Sequence, residues 1–292
     1  MDFQQYFPEG KLMHTRENTS VVLDTASMIK AMEEKRVLEG MAIKCDSNLS
    51  LTVALGDKTG IIPKNEAAIG TDDGTTRDIA IISRVGKPVS FHIKEISGDT
   101  IILSRRSAQL AANEHFLKNI KLWDVIEATV THLEPFGAFL DIGCGLPAMI
   151  SIENISSARI PHPSHRLEVG QHIHAAVKHI DYEQARFTLS LKELLGTWAE
   201  NAAEFAQAET VSGIVRSIKP YGAFVELKPN LSGLTEPFEG IEEGDWVSVY
   251  IKAILPSKRK IKLIIINKLE GSPPKGDLKY YITNGNVVQW EY

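Results

Sequence analysis

"EPFGAFLDIG" occupies residues 134–143 and "KPYGAFVELK" residues 219–228, so one aromatic–Gly–Ala–aromatic tetrapeptide is written twice, each time leading into a short alternating run. Strict alternation sends positions i and i+3 of a strand to opposite faces. Phe136 and Phe139, or Tyr221 and Phe224, therefore share a side only if the backbone departs from regular extension between them. A glycine bulge or twist is the expected device. Two rings turned outward on a small barrel would cost solubility unless a planar partner covers them. Nucleobases are such partners, and stacking one on an aromatic side chain is worth about 1–3 kcal/mol. The alternative is that one ring of each pair is core and the other packs on a neighbouring helix, as most aromatics do. Repetition of the whole frame favours the stacking platform.

Outward from the tetrapeptide, the repeat extends over a domain-sized unit. The segment from Trp123 through "LEVGQHIHAAVKHIDYEQARFTLSLKEL" corresponds element by element to the segment from Glu209 to "KRKIKLII". Each holds five short runs of period-2 apolarity separated by turn signals, the pattern of a small antiparallel β-barrel. A fainter copy starts at Arg36, with "AIGTDDGTTRDIAIISR" as a longer loop carrying a short helix. Connectors rich in Ala, Glu and Lys ("TASMIKAMEEKRV", "SAQLAANEHFLKNIKL", "KELLGTWAENAAEFAQ") read as helices. The tail sets two strand-like runs around Asn284-Gly285, a hairpin signal; its rings, Tyr280, Tyr281, Trp290 and Tyr292, are expected to pack on the last barrel or to extend a nucleic-acid platform. The first dozen residues are expected to be loose. The expected fold is mainly β: a tail and helix (1–35), a degenerate first repeat (36–107), a helical linker (108–120), a second repeat (121–192), a second helical linker (193–208), a third repeat (209–270) and a C-terminal β-hairpin (271–292).

The chain has 292 residues, 43% hydrophobic and 24% charged, an ordinary globular balance that lets each module have its own core. No apolar run reaches the ~18 residues that would cross a bilayer, and "MDFQQYFPEGK" lacks the charged and apolar regions of a secretory leader. With only Cys45 and Cys144, neither a disulfide framework nor a four-thiolate zinc site is expected, which suits a reducing cytoplasm. Lys and Arg total 32 against 37 Asp and Glu, a net charge of −5. Any nucleic-acid binding must then come from local patches and stacking rather than from global charge.

The two strong copies resemble the RNA-binding repeat of small-subunit ribosomal protein S-one, a variety of the five-stranded OB-fold barrel. The resemblance covers about Arg36 to Leu269 and implies three tandem OB barrels joined by α-helical linkers in a short bacterial homologue. Carried over position by position, it implies RNA contacts at Phe136, Phe139, Ser151 (the family's histidine position), Asp181 and Arg186 in the second copy. In the third it implies Tyr221, Phe224 and Lys260, with Glu236 at the histidine position and Leu255 at the acidic one. Lys219, Lys258, Arg259 and Lys262 are candidate phosphate contacts beside that platform. In the first copy the ring positions fall at Leu49 and Thr52 and the histidine position at Pro63, so this copy is expected to dock protein, such as the small ribosomal subunit, or to give support.

A histidine cluster (His162, His165, His172, His174, His179) lacks recognised zinc-ligand spacing, and "GDKTG" and "GTTRD" lack the Walker ending, so no metal and no cofactor is expected. No nucleophile–base frame is apparent, and no catalytic residue is expected. The implied function is a non-enzymatic, cytoplasmic protein that binds single-stranded RNA, helping mRNA onto the small ribosomal subunit at initiation. The rivals are a free regulatory RNA-binding protein acting on RNA stability or transcription, a nuclease or accessory subunit, and a protein-binding scaffold.

Overall fold

Alternating burial organises the strands. In β2 (Leu51–Leu55), Leu51, Val53 and Leu55 point inward between half-exposed neighbours, and the strands Pro147–Ser151 and Leu231–Thr235 alternate in the same way. A computed structural model describes residues 6–271 and 278–287. The first barrel comprises β1 (Leu38–Cys45), β2, β3 (Lys58–Ile62), β4 (Pro88–Ser97) and β5 (Thr100–Ser104). The second comprises β6 (Val125–Glu134), β7 (Gly137–Asp141), β8 (Pro147–Ser151), β9 (His172–Asp181) and β10 (Arg186–Ser190). The third comprises β11 (Thr210–Lys219), β12 (Gly222–Lys228), β13 (Leu231–Thr235), β14 (Trp246–Leu255) and β15 (Lys260–Lys268).

All three barrels close in the same order, first strand to second, third, fifth, fourth and back to the first. They are not antiparallel throughout. The third and fifth strands run parallel, with Gly60 opposite Ile101, Ala148 opposite Phe187 and Leu234 opposite Lys262. An odd number of strands cannot alternate direction all the way round a closed ring, so one parallel pair is unavoidable. Bulges between Ala42 and Lys44, Val130 and His132, and Val215 and Ser217 bend the long first strands around the corner.

The connectors differ from one another. Helices α1 (Arg16–Leu23) and α2 (Thr25–Glu33) precede the first barrel, and α3 (Asp78–Ile82) lies in its long loop. Between the first two barrels runs one continuous helix, α4 (Arg105–Asn119), capped by Ser104, which seats Ala108, Ala112 and Phe116 in the second barrel's core. The second linker is not a single helix. A 3-10 turn, Lys192–Leu195, ends at Gly196, whose φ of +84° belongs to the left-handed region. Thr197 and Glu200 then form a capping box that starts a new helix (Trp198–Ala202), and Trp198 enters the third core.

Both chain ends depart from expectation. Residues 6–12 form a half-buried strap rather than a loose tail. The Phe7 carbonyl accepts the Cys144 N–H at 2.8 Å. The Glu9 carboxylate takes the Arg105 guanidinium in two hydrogen bonds (2.6 and 3.0 Å), and also Arg84 (3.3 Å) and the Ser90 N–H (3.1 Å). The Glu9 N–H donates to Asp141 at 2.7 Å, so one residue ties the first barrel to the second. Burial raises the Glu9 carboxyl, but the Arg105 charge outweighs it and the net shift is downward. Asp141, buried beside the Glu9 charge, is pushed up to about 7.

At the other end, the described residues 278–287 form no hairpin and do not pack on the third barrel. The Tyr281 N–H donates to the Leu194 carbonyl (2.8 Å), Val125 N–H to Gly285 (2.8 Å) and Val287 N–H to Trp123 (2.9 Å). Tyr280 and Ile282 pack with Ala176, Leu194 and Val287 on the second barrel. The start of β6 has open backbone groups that need partners, and residues 285–287 supply them. Trp290 and Tyr292 lie outside the described residues.

Candidate nucleic-acid interface

The tetrapeptide turns out to straddle a hairpin. Glu134 pairs with Gly137, leaving Pro135 and Phe136 as a two-residue tip, and Lys219 pairs with Gly222 around Pro220 and Tyr221. The first ring of each pair thus stands on a turn, the second on the strand. That, and not a glycine bulge in the strand, sets both rings on one side. The glycine answers a different need. A Cβ on Gly137 would lie 2.3 Å from the Ile150 carbonyl oxygen, and one on Gly222 would lie 1.8 Å from that of Thr235. Any side chain there would push the third strand away.

The ring pairs are alike in geometry. Phe136 and Phe139 meet edge to face at 6.0 Å and 88°, Tyr221 and Phe224 at 6.4 Å and 87°. Phe136 is 55% exposed and Tyr221 61%, while Phe139 and Phe224 are half-buried. None of the four is sealed in a core.

In the second barrel, register places the remaining expected residues around Phe139. Met149 is opposite Phe139, Thr188 opposite Met149, and His179 opposite Thr188. On the other side His132 is opposite Phe139. This row crosses the outer face. Ser151, opposite Gly137, lies toward the hairpin tip, and its hydroxyl accepts a hydrogen bond from Asn154 Nδ2 (2.7 Å). Arg186 is exposed and pairs with Asp181 at the other end of the face. One Asp181 oxygen is already engaged, accepting the N–H groups of Glu183 (3.0 Å) and Gln184 (2.9 Å) in the following turn. The family motif does not point to His132, Met149 or Thr188. Cross-strand register brings them in, and the only prior signal was outward parity on their strands.

The third barrel carries the row Ser217, Phe224, Leu234, Lys262, Ala253. Lys262 therefore lies on the platform itself, two places from Phe224. Lys260 is exposed and pairs with Leu255. Lys219, Lys258 and Arg259 are exposed at neighbouring turns, with Arg259 in the left-handed region at φ +47°. Glu236, at the histidine position, faces Lys252 at 3.6 Å. In the first barrel the same row reads Lys44, Thr52, Ile61, Ile102, Glu95. A five-residue loop held by the Asp46 carboxylate replaces the two-residue tip, and no ring stands on that face.

The histidine cluster is dispersed. His172 bonds to Thr129 (2.8 Å), His174 packs edge to face on Tyr280, and His162 caps the turn at Pro163–His165. Among the described residues no group of three His, Cys, Asp or Glu side chains is placed to hold a metal ion, and no helix is long and apolar enough to cross a membrane.

Barrels two and three are locked together by a buried Arg–Glu–Arg cluster. Glu226 accepts Arg216 Nε at 2.6 Å and also pairs with Arg166, which reaches over from the second barrel's long loop. Asn230 adds two hydrogen bonds to the linker carbonyls of Lys192 and Gly196. Both platforms thus belong to one fixed unit.

Repeated five-stranded barrels with a ring on the first hairpin and a second ring beside it define a tandem OB-type protein, and residues 121–192 match the S1 RNA binding domain. The chain is 33% identical to small ribosomal subunit protein bS1 of Leuconostoc lactis over 61% of its own length and 44% of that protein's. It is 28% identical to the bS1 of Neisseria meningitidis over 88% and 47%, and 27% identical to that of Staphylococcus aureus over 95% and 79%. The chain spans about half the length of the first two relatives, 44% and 47%. Its second barrel is thus an S1 RNA binding domain, and the chain as a whole is similar to the ribosomal protein bS1 of several bacteria.

Proposed function

We propose that this protein is a non-catalytic, cytoplasmic binder of single-stranded RNA that works with the small ribosomal subunit, presenting mRNA during initiation. The observation that carries this reading is the outward ring pair at matching positions on two barrels, its first ring on a hairpin tip and its second on the strand that follows. Bases stack on Phe136 and Phe139 and on Tyr221 and Phe224. Arg186, Lys260, Lys262, Lys219, Lys258 and Arg259 supply phosphate contacts, and Ser151 and Asp181 hydrogen-bond to sugar or base. Six such contacts, at about −0.7 per phosphate neutralised on a single strand, set a log–log salt slope of about −4 at most. Fixing two platforms in one unit raises effective concentration, so the pair binds more tightly than either alone. The first barrel, whose face offers Leu49, Thr52, Ile61 and Pro63 in place of rings, contacts protein on the ribosome.

The test is fluorescence titration of unstructured RNA against wild type, the double substitution Phe136→Ala with Phe139→Ala, and the double substitution Tyr221→Ala with Phe224→Ala. Each double variant is expected to weaken binding at least about tenfold; unchanged affinity in both would overturn the reading. Pelleting with small ribosomal subunits separates the ribosomal role from that of a free regulatory RNA binder, for which the protein would stay in the supernatant.

A further inference from the structure

The imidazole of His132 stands beside Phe139 on the second barrel, and the family motif assigns it nothing. The two residues are directly opposite on adjacent strands. Their ring centroids are 6.3 Å apart and their planes lie within 30° of each other, whereas Phe136 meets Phe139 edge-on. The His132 side chain is 62% exposed. Its orientation is held by a hydrogen bond between Nε2 and Glu134 at 2.7 Å. A carboxylate only accepts, so Nε2 is the donor and the ring face and Nδ1 are left toward solvent. A ring fixed by a carboxylate, nearly parallel to a neighbouring ring and open to water on an outer barrel face, has the attributes of a stacking surface.

We infer that His132 is a third base-stacking ring of the second barrel, so that this platform seats one more nucleobase than the third barrel's. The inference rests on the reading of the ring pairs as RNA platforms and extends it. The corresponding positions are Ser217 in the third barrel and Lys44 in the first, opposite Phe224 and Thr52. Neither can stack as a ring does. The two RNA-binding barrels are thereby unequal: one offers three planar groups in sequence, the other a ring pair with Lys262 on the same row. A structural role limited to pairing with Glu134 on the same strand is the competing account, and it predicts no preference for bases.

The full chain is titrated with a fluorescein-labelled oligouridylate and with an abasic ribose-phosphate oligomer of the same length. His132→Ala should weaken oligouridylate binding about 5- to 20-fold, the lower part of the range for losing one stacked base, and leave the abasic oligomer unaffected. His132→Phe should return affinity to within about twofold of wild type, and Ser217→His should strengthen oligouridylate binding. The thermal midpoint of His132→Ala, measured alongside, should match wild type. If Phe136→Ala with Phe139→Ala weakens binding and His132→Ala does not, this inference fails while the platform stands. Equal weakening toward both oligomers, or no recovery with phenylalanine, also overturns it. If the Phe136 and Phe139 double variant binds like wild type, the platform and the third ring fall together.

Discussion

Replacing Glu9 by alanine should loosen the junction of the first two barrels more than any other single change in the N-terminal segment. The Glu9 and Arg105 side chains are 5% and 6% exposed, and the truncation leaves the buried guanidinium with the Ala67 carbonyl (3.3 Å) as a hydrogen-bond partner. Breaking a buried ion pair from one side costs about 3–5 kcal/mol. Part is returned, because the Glu9 charge is one cause of the raised Asp141 and Glu39 carboxyls, and relief of each is worth on the order of 1 kcal/mol per pKa unit. The net expectation is a loss of about 2–4 kcal/mol. Glu9→Gln, which keeps the shape and one acceptor, should lose less. Hydrogen exchange reads the effect locally: the Cys144 amide, bonded to the Phe7 carbonyl across the junction, should lose protection together with the global stability. A loss below about 1 kcal/mol, or unchanged protection at Cys144, would refute the idea that this strap holds the barrels together.

The hairpin glycines should tolerate nothing: Gly222→Ala, with its Cβ 1.8 Å from a carbonyl oxygen and φ at +144°, should cost about 3 kcal/mol or more in chemical denaturation. At the barrel 2–3 junction, Glu226→Ala strands two guanidiniums and should lower the thermal midpoint well beyond Arg166→Met, which leaves the Arg216–Glu226 pair intact and should stay within about 1 kcal/mol of wild type. Glu39 gives a pH signature. Burial pushes its carboxyl up to about 7 despite the Ser90 hydroxyl and the backbone N–H groups that stabilise its ionised form. The unfolded chain ionises near ~4.3, so between these values the folded state holds the extra proton. This contribution is complete below the unfolded value and is lost as pH rises through about 7. Denaturation at pH 5 and pH 8 should therefore show a stability loss that Glu39→Gln, able to accept the same N–H groups and donate to Ser90, reduces.

Local pattern carried much of the fold into the sequence. Alternation in "GAFLD" and "GAFVELK", turn residues between runs, and repetition of the frame were sufficient for three barrels, and the ring pairs and Arg186, Asp181, Lys260 and Ser151 could be placed from motif position. What failed to show was whatever depends on distant segments meeting. The wholly antiparallel barrel was excluded by ring closure, the second linker was broken by Gly196 and the Thr197 cap, and residues 285–287 joined the start of β6. His132 looks like one outward residue among many until register sets it beside Phe139.

Short-range rules determine which residues form strands, where a chain turns and which side chains face water, because each involves only a few neighbours and the 2-residue or 3.6-residue repeat of the backbone. The sequence by itself therefore determined the barrels and their outward rings. Only the tertiary structure decided that Glu9 is buried against Arg105, that Arg166 shares Glu226 with Arg216, and that His132 lies parallel to Phe139. The first two join segments far apart along the chain, and such encounters follow from how whole barrels close and dock, which no local repeat encodes; the third follows from the bulged register of a single hairpin, which alternation alone does not set.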